Sequence, residues 1–354
     1  MIELAHIAKQ YQDELKQAYS KQMKGIHHQA LKQIIACHTP QAGAMLYHCD
    51  ECQTNSTLYP SCGHRHCPAC QHKSNSDWLA LQQQKLLPVD YYLLTFTVPY
   101  QCRHFIWTHQ PWAYQAMFIA AKQTINAFFK RDKHLGEHNG LLAVLHTHSR
   151  QIEYHPHIHV VVPAGGLDKS KKHWQQKSGK YLFNANNLAK VFRGKFIELM
   201  VTSGYYLPPK TPTSWVVDCQ HVGKGDGALT YLARYLYRGV VNEKNILSLK
   251  KNHVTFQYKD SKTKQFKTIT EKATAFLWRI LQHVLPKGFR RSRNYGFLHG
   301  NAKHTLTRLQ LMLNVVLRPV ETRPKKSVCC PQCQAQMTLY LMRIGERVII
   351  GETT

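Results

Sequence analysis

The stretch HPHIHVVVP, residues 155–163, decides how the middle of this chain folds. Its β-branched residues follow Pro156, which cannot donate to a sheet hydrogen bond, so the pattern predicts a strand that starts there. Successive side chains of a strand point to opposite faces, so His157 and His159 should share one face while Ile158 points into the core. Two imidazoles on one rigid strand supply two of the three protein ligands of a catalytic metal site that keeps positions open for substrate.

A third metal ligand should come from a neighbouring strand. The segment LLAVLHTH at 141–148 is the expected antiparallel partner, joined to the first strand by a polar turn. His146 or His148 is then best placed, with Glu153 or His155 as alternatives, and we favour His146. A His-x-His strand by itself is weak support for a metal site, because it also occurs in cupins, in metallohydrolases and by chance in a chain with 23 histidines.

Strands and helices of ordinary length are predicted on both sides of these two strands in the sequence. Aromatic and β-branched runs predict further strands, and apolar residues at helical spacing predict helices. The expected strands are 91–98, 214–222 and a hairpin of 253–258 with 265–270, and the expected helices are 112–130, 187–200, 228–238 and 271–283. The predicted fold class is therefore α+β, a mixed sheet with long helical insertions.

Two tyrosines in the motif YLARY lie four residues apart on the helix expected at 228–238. Tyr231 and Tyr235 would share one helix face, whereas Tyr237 points elsewhere and is expected to pack. An aromatic pair at this spacing can equally fill a core. A phenol with a pKa near ~10 is a poor nucleophile at neutral pH, but it can cleave a phosphodiester when a metal polarises the phosphate. We expect nearby cations to bind DNA phosphates: Arg234, Arg238 and Lys224.

The cysteines predict a zinc module near the N-terminus. Cys49 and Cys52 form one CxxC knuckle and Cys67 and Cys70 form another, with fourteen residues between them. Zinc takes four soft ligands in a tetrahedron, so these four thiols are the predicted zinc ligands.

A second zinc ion could use the remaining cysteines of this region. Cys37 and Cys62 are near four histidines, His38, His48, His64 and His66, and we take His48 and His66 as the candidate partners. The pair Cys330 and Cys333 near the C-terminus forms half a knuckle, for which the sequence shows no partner.

The charge of the chain points to a polyanionic partner. Its 354 residues carry 47 Lys and Arg against 20 Asp and Glu, a formal net charge of +27. A folded protein this basic repels itself unless a polyanion binds it, and nucleic acid is the commonest one. A generically cationic surface, or one that binds anionic membranes, is the alternative.

Composition also limits the class of protein. Hydrophobic residues make up 43% of the chain, which excludes wholesale disorder. No stretch approaches the ~18 consecutive apolar residues of a membrane span, and the amphipathic N-terminus lacks the apolar region of a signal peptide. We therefore expect a soluble, cytoplasmic protein without a membrane partner.

Together these motifs resemble the HUH endonuclease superfamily, in which a His-hydrophobic-His pair binds a divalent ion beside one or two nucleophilic tyrosines. More narrowly, the chain resembles the two-tyrosine rolling-circle transposases of the insertion-sequence ninety-one family. The resemblance covers nearly the whole chain. It rests on SCGHRHCPAC (61–70), LHTH (145–148), HPHIHVVVPAGG (155–166), ALTYLARYLYR (228–238), VTFQY (254–258) and QHVLPKGFRRSRNYGFLHG (282–300).

The resemblance implies a nuclease core of antiparallel sheet flanked by helices. It gives His157 and His159 the ligand role and Tyr231 and Tyr235 the nucleophile role, whereas His146 rests on the strand pairing alone. It also implies structural Zn²⁺ in an N-terminal zinc-binding domain and a catalytic Mg²⁺ or Mn²⁺. We expect three parts: a zinc-binding DNA-recognition module at 1–88, the nuclease domain at 89–320 and a short tail at 321–354.

The implied function is a transposase that cleaves and rejoins single-stranded ends of a mobile element through 5′-phosphotyrosine intermediates. Its partners would be single-stranded or hairpin DNA ends and a target site in a prokaryotic nucleoid, with host replication proteins as further candidates. Two alternatives stay open: a replication initiator or relaxase that nicks an origin, and a non-catalytic, zinc-dependent DNA-binding regulator.

Overall fold

The structure is a computed structural model that describes residues 2–70, 78–224, 240–260, 262–316, 327–344 and 347–350. Contacts group the chain into two compact units that alternate along the sequence. Unit 1 comprises Met1–Ser76, Arg238–Val284 and Val320–Thr354, and unit 2 comprises Asp77–Tyr237 and Leu285–Pro319. This grouping differs from the division expected at residues 88 and 320, because the middle segment of unit 1 packs with the N-terminal helices.

The strands in chain order are β1 Ala44–Cys49, β2 Thr54–Leu58, β3 Asp90–Thr97, β4 Gly140–His148, β5 Tyr154–Pro163, β6 Gly165–Leu167, β7 Trp174–Gln176, β8 Val216–Lys224, β9 Ile246–Lys250, β10 His253–Lys259, β11 Phe266–Lys272, β12 Ser292–Gly296, β13 Thr338–Ile344 and β14 Arg347–Ile350. The helices are α1 Leu4–Ala18, α2 Gly25–Ala36, α3 Cys102–Thr108, α4 Gln110–Arg131, α5 Ala185–Thr202, α6 Ala273–Leu281 and α7 Lys303–Met312. The α+β fold class is confirmed, with antiparallel sheets flanked by helices.

Unit 2 is built on a five-stranded antiparallel sheet in the order β12-β4-β5-β3-β8. One face of the sheet packs against α4 and α5, whose buried side chains include Phe118, Phe129, Phe192 and Phe196. Helix α4 starts with a proline in its first turn, where the missing N–H costs no helical hydrogen bond.

The opposite face of the same sheet changes character along its strands. At one end it is apolar, with Leu93, Val144 and Val161 buried in a second cluster. Two residues further along each strand stand Thr95, His146 and His159 on the same face. The sheet therefore has a dry end that fixes its position and a polar end that carries the histidines.

The described residues of unit 1 form two small sheets and three helices. Strands β9, β10 and β11 form one sheet, in which the hairpin β10–β11 was predicted and β9 was not. Helices α1 and α2 pack with α6, which follows β11. The other sheet has the order β14-β13-β1-β2, so the C-terminal strands pair with the first strand of the chain. None of the helices in the described part of the chain is long and apolar enough to cross a membrane.

Candidate active site and metal centres

Three histidines of unit 2 converge at the polar end of the sheet. One ring nitrogen from each of His146, His157 and His159 lies within 4.8 Å of the other two. The register explains the grouping, because His146 on β4 is directly opposite His157 on β5 and His159 follows two residues later on the same face. The arrangement can therefore hold one divalent cation between two neighbouring strands.

The start of β5 differs from the sequence prediction. The strand begins at Tyr154, ahead of Pro156, and the register shifts between His146 and His148 of β4. The extra residue on β5 accommodates the proline, which has no N–H to give to the ladder. Beyond this irregularity, His157 and His159 keep regular pairing with β4.

Hydrogen bonds engage one nitrogen of His157 and one of His159, which leaves the other nitrogen of each ring for a metal ion. His157 Nδ1 lies 2.7 Å from the carbonyl oxygen of His155 and must donate to it, which leaves Nε2 with a free lone pair. His159 Nδ1 lies 3.0 Å from Thr95 Oγ1. His146 Nε2 is buried without a hydrogen-bond partner among the described residues. A buried nitrogen without a partner is unfavourable unless a ligand binds it, so the three rings fit a cation.

The electrostatics favour neutral rings. Burial lowers the pKa of His146 and of His159 well below the usual value, and the neighbouring imidazoles and the positive charge of Arg291 lower both further. Burial likewise lowers the pKa of His157 to about 4. The imidazoles are therefore unprotonated at neutral pH, which is the form that binds metal ions.

Three residues that sequence reasoning missed lie around this histidine group. Thr95 comes from β3, and Arg291 precedes β12 and donates from Nε to the carbonyl oxygen of Leu145 at 3.1 Å. Arg103, on α3, donates from Nη2 to Nδ1 of His155. The two guanidiniums suit an anionic substrate such as a phosphodiester. Only the tertiary fold could have revealed these neighbours, because each lies far in sequence from the strand residue that it contacts.

The remaining candidate ligands and site residues do not join the group of three histidines in the described part of the chain. His148, Glu153 and His155 are outside the group of three nitrogens within 4.8 Å. Lys224 is exposed at the end of β8, in register with Asp90. Asp90 precedes Thr95 by five strand residues, so Lys224 is about 17 Å along the sheet from the histidine level. Five residues of the helix expected at 228–238 lie outside the described residues: Tyr231, Arg234, Tyr235, Tyr237 and Arg238.

A first cysteine cluster comprises Cys37, Cys62, Cys67 and Cys70, whose Sγ atoms lie within 4.8 Å of one another. Cys37 caps the C-terminus of α2. Its Sγ is 3.6 Å from that of Cys70, and the Sγ of Cys70 is 3.5 Å from that of Cys62. A tetrahedral zinc with Zn–S bonds of about 2.3 Å places its sulfurs about 3.8 Å apart, so the geometry fits zinc. Burial raises the pKa of Cys37 to about 12, so a bound cation is needed to keep this thiol ionised.

A second cysteine cluster comprises Cys49, Cys52, Cys330 and Cys333, again within 4.8 Å. The predicted set of Cys49 and Cys52 with Cys67 and Cys70 is therefore corrected, because each knuckle has different partners. The pairing of β1 with β13 brings the C-terminal knuckle to the first N-terminal one. Residue spacing cannot reveal a strand pairing between opposite ends of a chain.

The histidines proposed for a second zinc take other roles. Cys37 and Cys62 join the first cluster, and His48 stands on β1 with its Nδ1 2.8 Å from Asn55 Oδ1 on β2. His66 has its ring against that of His64, with 5.6 Å between the centroids. The expected mixed Cys–His site is thus replaced by sites with cysteine ligands only. Eight of the eleven cysteines form three CxxC pairs and two single residues, an interleaved pattern that could have suggested two four-cysteine sites.

Comparison with known families now bears on both kinds of site. Residues 140–305 match a family described as "Putative transposase", and residues 7–98 match a family described as "Transposase zinc-binding domain". The chain belongs to the insertion-sequence ninety-one family of transposases. The first match contains the three histidines, and the second contains all four residues of the first cysteine cluster, which supports structural zinc there.

Two relatives of this transposase illustrate the similarity. It is 28% identical over 319 residues to the "Putative transposase y4qJ" of Sinorhizobium fredii, covering 84% of this chain and 80% of that protein. It is 25% identical over 299 residues to the "Transposase for insertion sequence element IS801" of Pseudomonas savastanoi pv. phaseolicola, covering 78% of this chain and 71% of that protein. No solved structure matches it.

Proposed function

We propose that this transposase cleaves and rejoins single-stranded DNA ends of a mobile element through 5′-phosphotyrosine intermediates, with Tyr231 and Tyr235 as nucleophiles. The observation that carries the proposal is the convergence of His146, His157 and His159 on one sheet face. These three imidazoles would hold a divalent ion, Mg²⁺ or Mn²⁺, which would supply Lewis-acid polarisation of the scissile phosphate.

The surroundings of the histidine group support a phosphodiester substrate. Arg103 hydrogen-bonds to His155, and Arg291 is held on β4 through the carbonyl oxygen of Leu145. Guanidinium groups bind phosphate oxygens with strong, directional hydrogen bonds. The net charge of +27 adds a sequence-independent attraction for the DNA backbone.

The proposed step conserves the phosphodiester bond energy. The phenol oxygen of Tyr231 or Tyr235 bonds to the scissile phosphorus while the bond from phosphorus to the 3′ oxygen breaks. The phenol loses its proton to solvent, and the 3′ oxygen takes up a proton, which leaves a 5′-phosphotyrosine and a free 3′-hydroxyl. Attack by a 3′-hydroxyl reverses the step, and the second tyrosine can hold another strand meanwhile, so strands are exchanged without nucleotide hydrolysis.

The test is incubation of the full chain with single-stranded oligonucleotides that carry the element ends, in the presence of Mg²⁺ or Mn²⁺. Covalent adducts are detected by denaturing electrophoresis and located by mass spectrometry. The double variant Tyr231→Phe plus Tyr235→Phe should form no adduct, while Tyr237→Phe should form it normally. An adduct that persists in the double variant would remove the tyrosines from the reaction.

The same assay tests the metal ligands. His146→Ala, His157→Ala and His159→Ala should each abolish the adduct, whereas His148→Ala, on the same strand as His146, should retain it. If His148→Ala and His146→Ala exchange these outcomes, the third ligand is His148. Element ends as substrates, with origin DNA as the comparison, distinguish a transposase from a replication initiator.

A further inference from the structure

We propose that the second cysteine cluster is a structural zinc site that joins the C-terminal segment of the chain to the N-terminal zinc-binding domain. The family match to that domain spans residues 7–98, so Cys330 and Cys333 lie far outside it. Two of the four ligands of this site would therefore come from the opposite end of the polypeptide. The proposal does not depend on the DNA chemistry proposed above.

The positions of the four sulfurs carry the proposal. Cys52 Sγ lies 3.5 Å from Cys49 Sγ, 3.4 Å from Cys330 Sγ and 3.5 Å from Cys333 Sγ. Cys49 Sγ is in turn 3.5 Å from Cys333 Sγ. These separations are longer than the S–S bond of a disulfide, about 2.05 Å. They are close to the distance between two sulfurs bound to one tetrahedral zinc, about 3.8 Å.

The elements that present the sulfurs are built around this point. Cys49 ends β1, and the turn to β2 supplies Cys52, while the C-terminal turn is closed by a hydrogen bond from Gln334 N to the carbonyl oxygen of Cys330 at 2.9 Å. Strand β13 pairs with β1 from Ala44 to His48, directly before Cys49. The sheet thus ends at the four thiols.

The chemistry of the donors selects the ligand. Four thiolates suit a soft or borderline cation with tetrahedral preference, and they do not suit Mg²⁺ or Ca²⁺, which take oxygen ligands. A site with four protein ligands has no open position for substrate, so its role is structural. The hydroxyl of Thr54 lies 3.2 Å from Cys52 Sγ, and hydrogen bonds of this kind to a ligand atom orient it toward the metal.

Apolar packing alone is too small to hold this region together. The buried cluster contains Cys49, Cys330 and Met337, and partly buried side chains such as Tyr47 and Val328 pack around it. Two of its three fully buried members are thus cysteines. A core this small does not stabilise a sheet, whereas structural zinc contributes folding free energy directly.

Zinc content of the purified full-length protein tests the proposal. Two four-thiol clusters predict two zinc ions per chain by native mass spectrometry and elemental analysis. The double variant Cys330→Ser plus Cys333→Ser should hold one. Cys329→Ser is the matched control, because Cys329 is exposed, adjacent to Cys330 and outside the cluster, and it should hold two.

A second variant guards against a simple loss of folding. Cys333→His replaces one zinc ligand with another and should keep two zinc ions. With Co²⁺ substituted for zinc, both this variant and the wild type should show the ligand-field bands of tetrahedral sites. Hydrogen exchange should show that β13 loses protection in the double serine variant but keeps it in Cys329→Ser. One zinc in the wild type, two in the double serine variant, or a Cys330–Cys333 disulfide in the protein as purified would each overturn the proposal.

Discussion

Thr95 Oγ1 lies 3.0 Å from Nδ1 of His159, across the pairing of β3 with β5. With Nδ1 as the donor, this hydrogen bond holds the imidazole in place and leaves the lone pair of Nε2 for a metal ion. Among the described residues, Thr95 hydrogen-bonds to His159 and to neither of the other two rings. Its effect on metal binding should therefore act through the position and tautomer of His159.

Replacing Thr95 with valine should weaken metal binding without unfolding the sheet. Valine has nearly the same shape but lacks the hydroxyl, so His159 loses its orienting partner. Loss of such a partner costs about 10–100-fold in metal affinity. Titration calorimetry with Mn²⁺ measures the change, and Thr95→Ser, which keeps the hydroxyl, should restore most of the affinity. Equal Mn²⁺ affinity in Thr95→Val and wild type would contradict the positioning role.

Arg291 should affect DNA cleavage and metal binding in opposite directions. After burial, its positive charge is among the causes that lower the pKa values of His146, His157 and His159, which places the guanidinium near all three rings. In Arg291→Ala, we expect adduct formation with single-stranded DNA to fall about 100-fold, as when a donor to a developing oxyanion is removed. Mn²⁺ affinity should be unchanged or stronger, because a repelling charge is gone.

The neighbouring Arg290 provides the control for this prediction. Arg290 is exposed and carries the same charge, so Arg290→Ala changes the net charge equally without altering the histidine surroundings. Its adduct yield should stay within a few-fold of wild type. A parallel loss of activity in both variants would assign the effect to general charge, and weaker Mn²⁺ binding in Arg291→Ala would assign it to folding of the site.

The histidine group was accessible from sequence because it depends on local geometry. The strand period of two places His157 and His159 on one face, and a hairpin between consecutive strands places His146 opposite. Thr95 and Arg291 could not be predicted from the sequence, because β3 and β12 bring them to the histidines. The positions of β3 beside β5 and of β12 beside β4 follow from the sheet order. Local pattern therefore predicted the ligand candidates, while the tertiary fold decided which residues surround them.

The cysteine sites show the same limit more strongly. CxxC spacing correctly indicated metal binding but paired the wrong knuckles, because ligands of two neighbouring sites alternate along the chain. The hairpin β10–β11 was predicted from its alternating pattern and lysine-rich turn. The packing of α6, which follows this hairpin, against α1 and α2 was not, since that contact joins segments separated by the whole of β3 to β8.

His27 should make the stability of the protein depend on pH. Its side chain is 1% exposed on α2, packs edge-on against Trp278, and accepts a hydrogen bond at Nδ1 from the backbone N–H of Lys24 at 2.8 Å. Burial, with added repulsion from Lys24 and His28, lowers its pKa from 6.5 to about 4. Because the unfolded chain takes up a proton near pH 6.5 and the folded chain does not, this contribution is complete above 6.5 and is lost as pH falls toward 4.

The variant His27→Gln removes the titration and keeps an acceptor at this helix position, where glutamine serves the same capping role. Between pH 7 and pH 5, the free energy of unfolding of the wild type should fall by about 2 kcal/mol more than that of the variant. Urea denaturation at both pH values measures the difference. The exposed His28 is the control, and His28→Gln should follow the wild type. Parallel pH profiles for wild type and His27→Gln would rule out this source of pH dependence.

Gly296 is required where β12 meets the segment that leads into β4. Its φ of +60° lies in the left-handed region, and a Cβ there would stand 1.7 Å from the carbonyl oxygen of Asn139. The backbone cannot relieve this clash easily, because Gly296 pairs with Gly140 in the ladder that joins β12 to β4. Gly296→Ala should therefore destabilise unit 2 by about 3 kcal/mol, from overpacking added to the cost of positive φ.

Gly204 separates these two contributions. Its φ is +76°, yet a Cβ at this position would have no atom within 4 Å, so Gly204→Ala carries the conformational cost alone, about 1 kcal/mol. Thermal unfolding should show a fall of about 6–12 °C for Gly296→Ala and about 2–4 °C for Gly204→Ala. Equal shifts in the two variants would mean that β12 can move away from Asn139. The close approach of β12 to β4 would then be unnecessary for holding Arg291 beside the histidines.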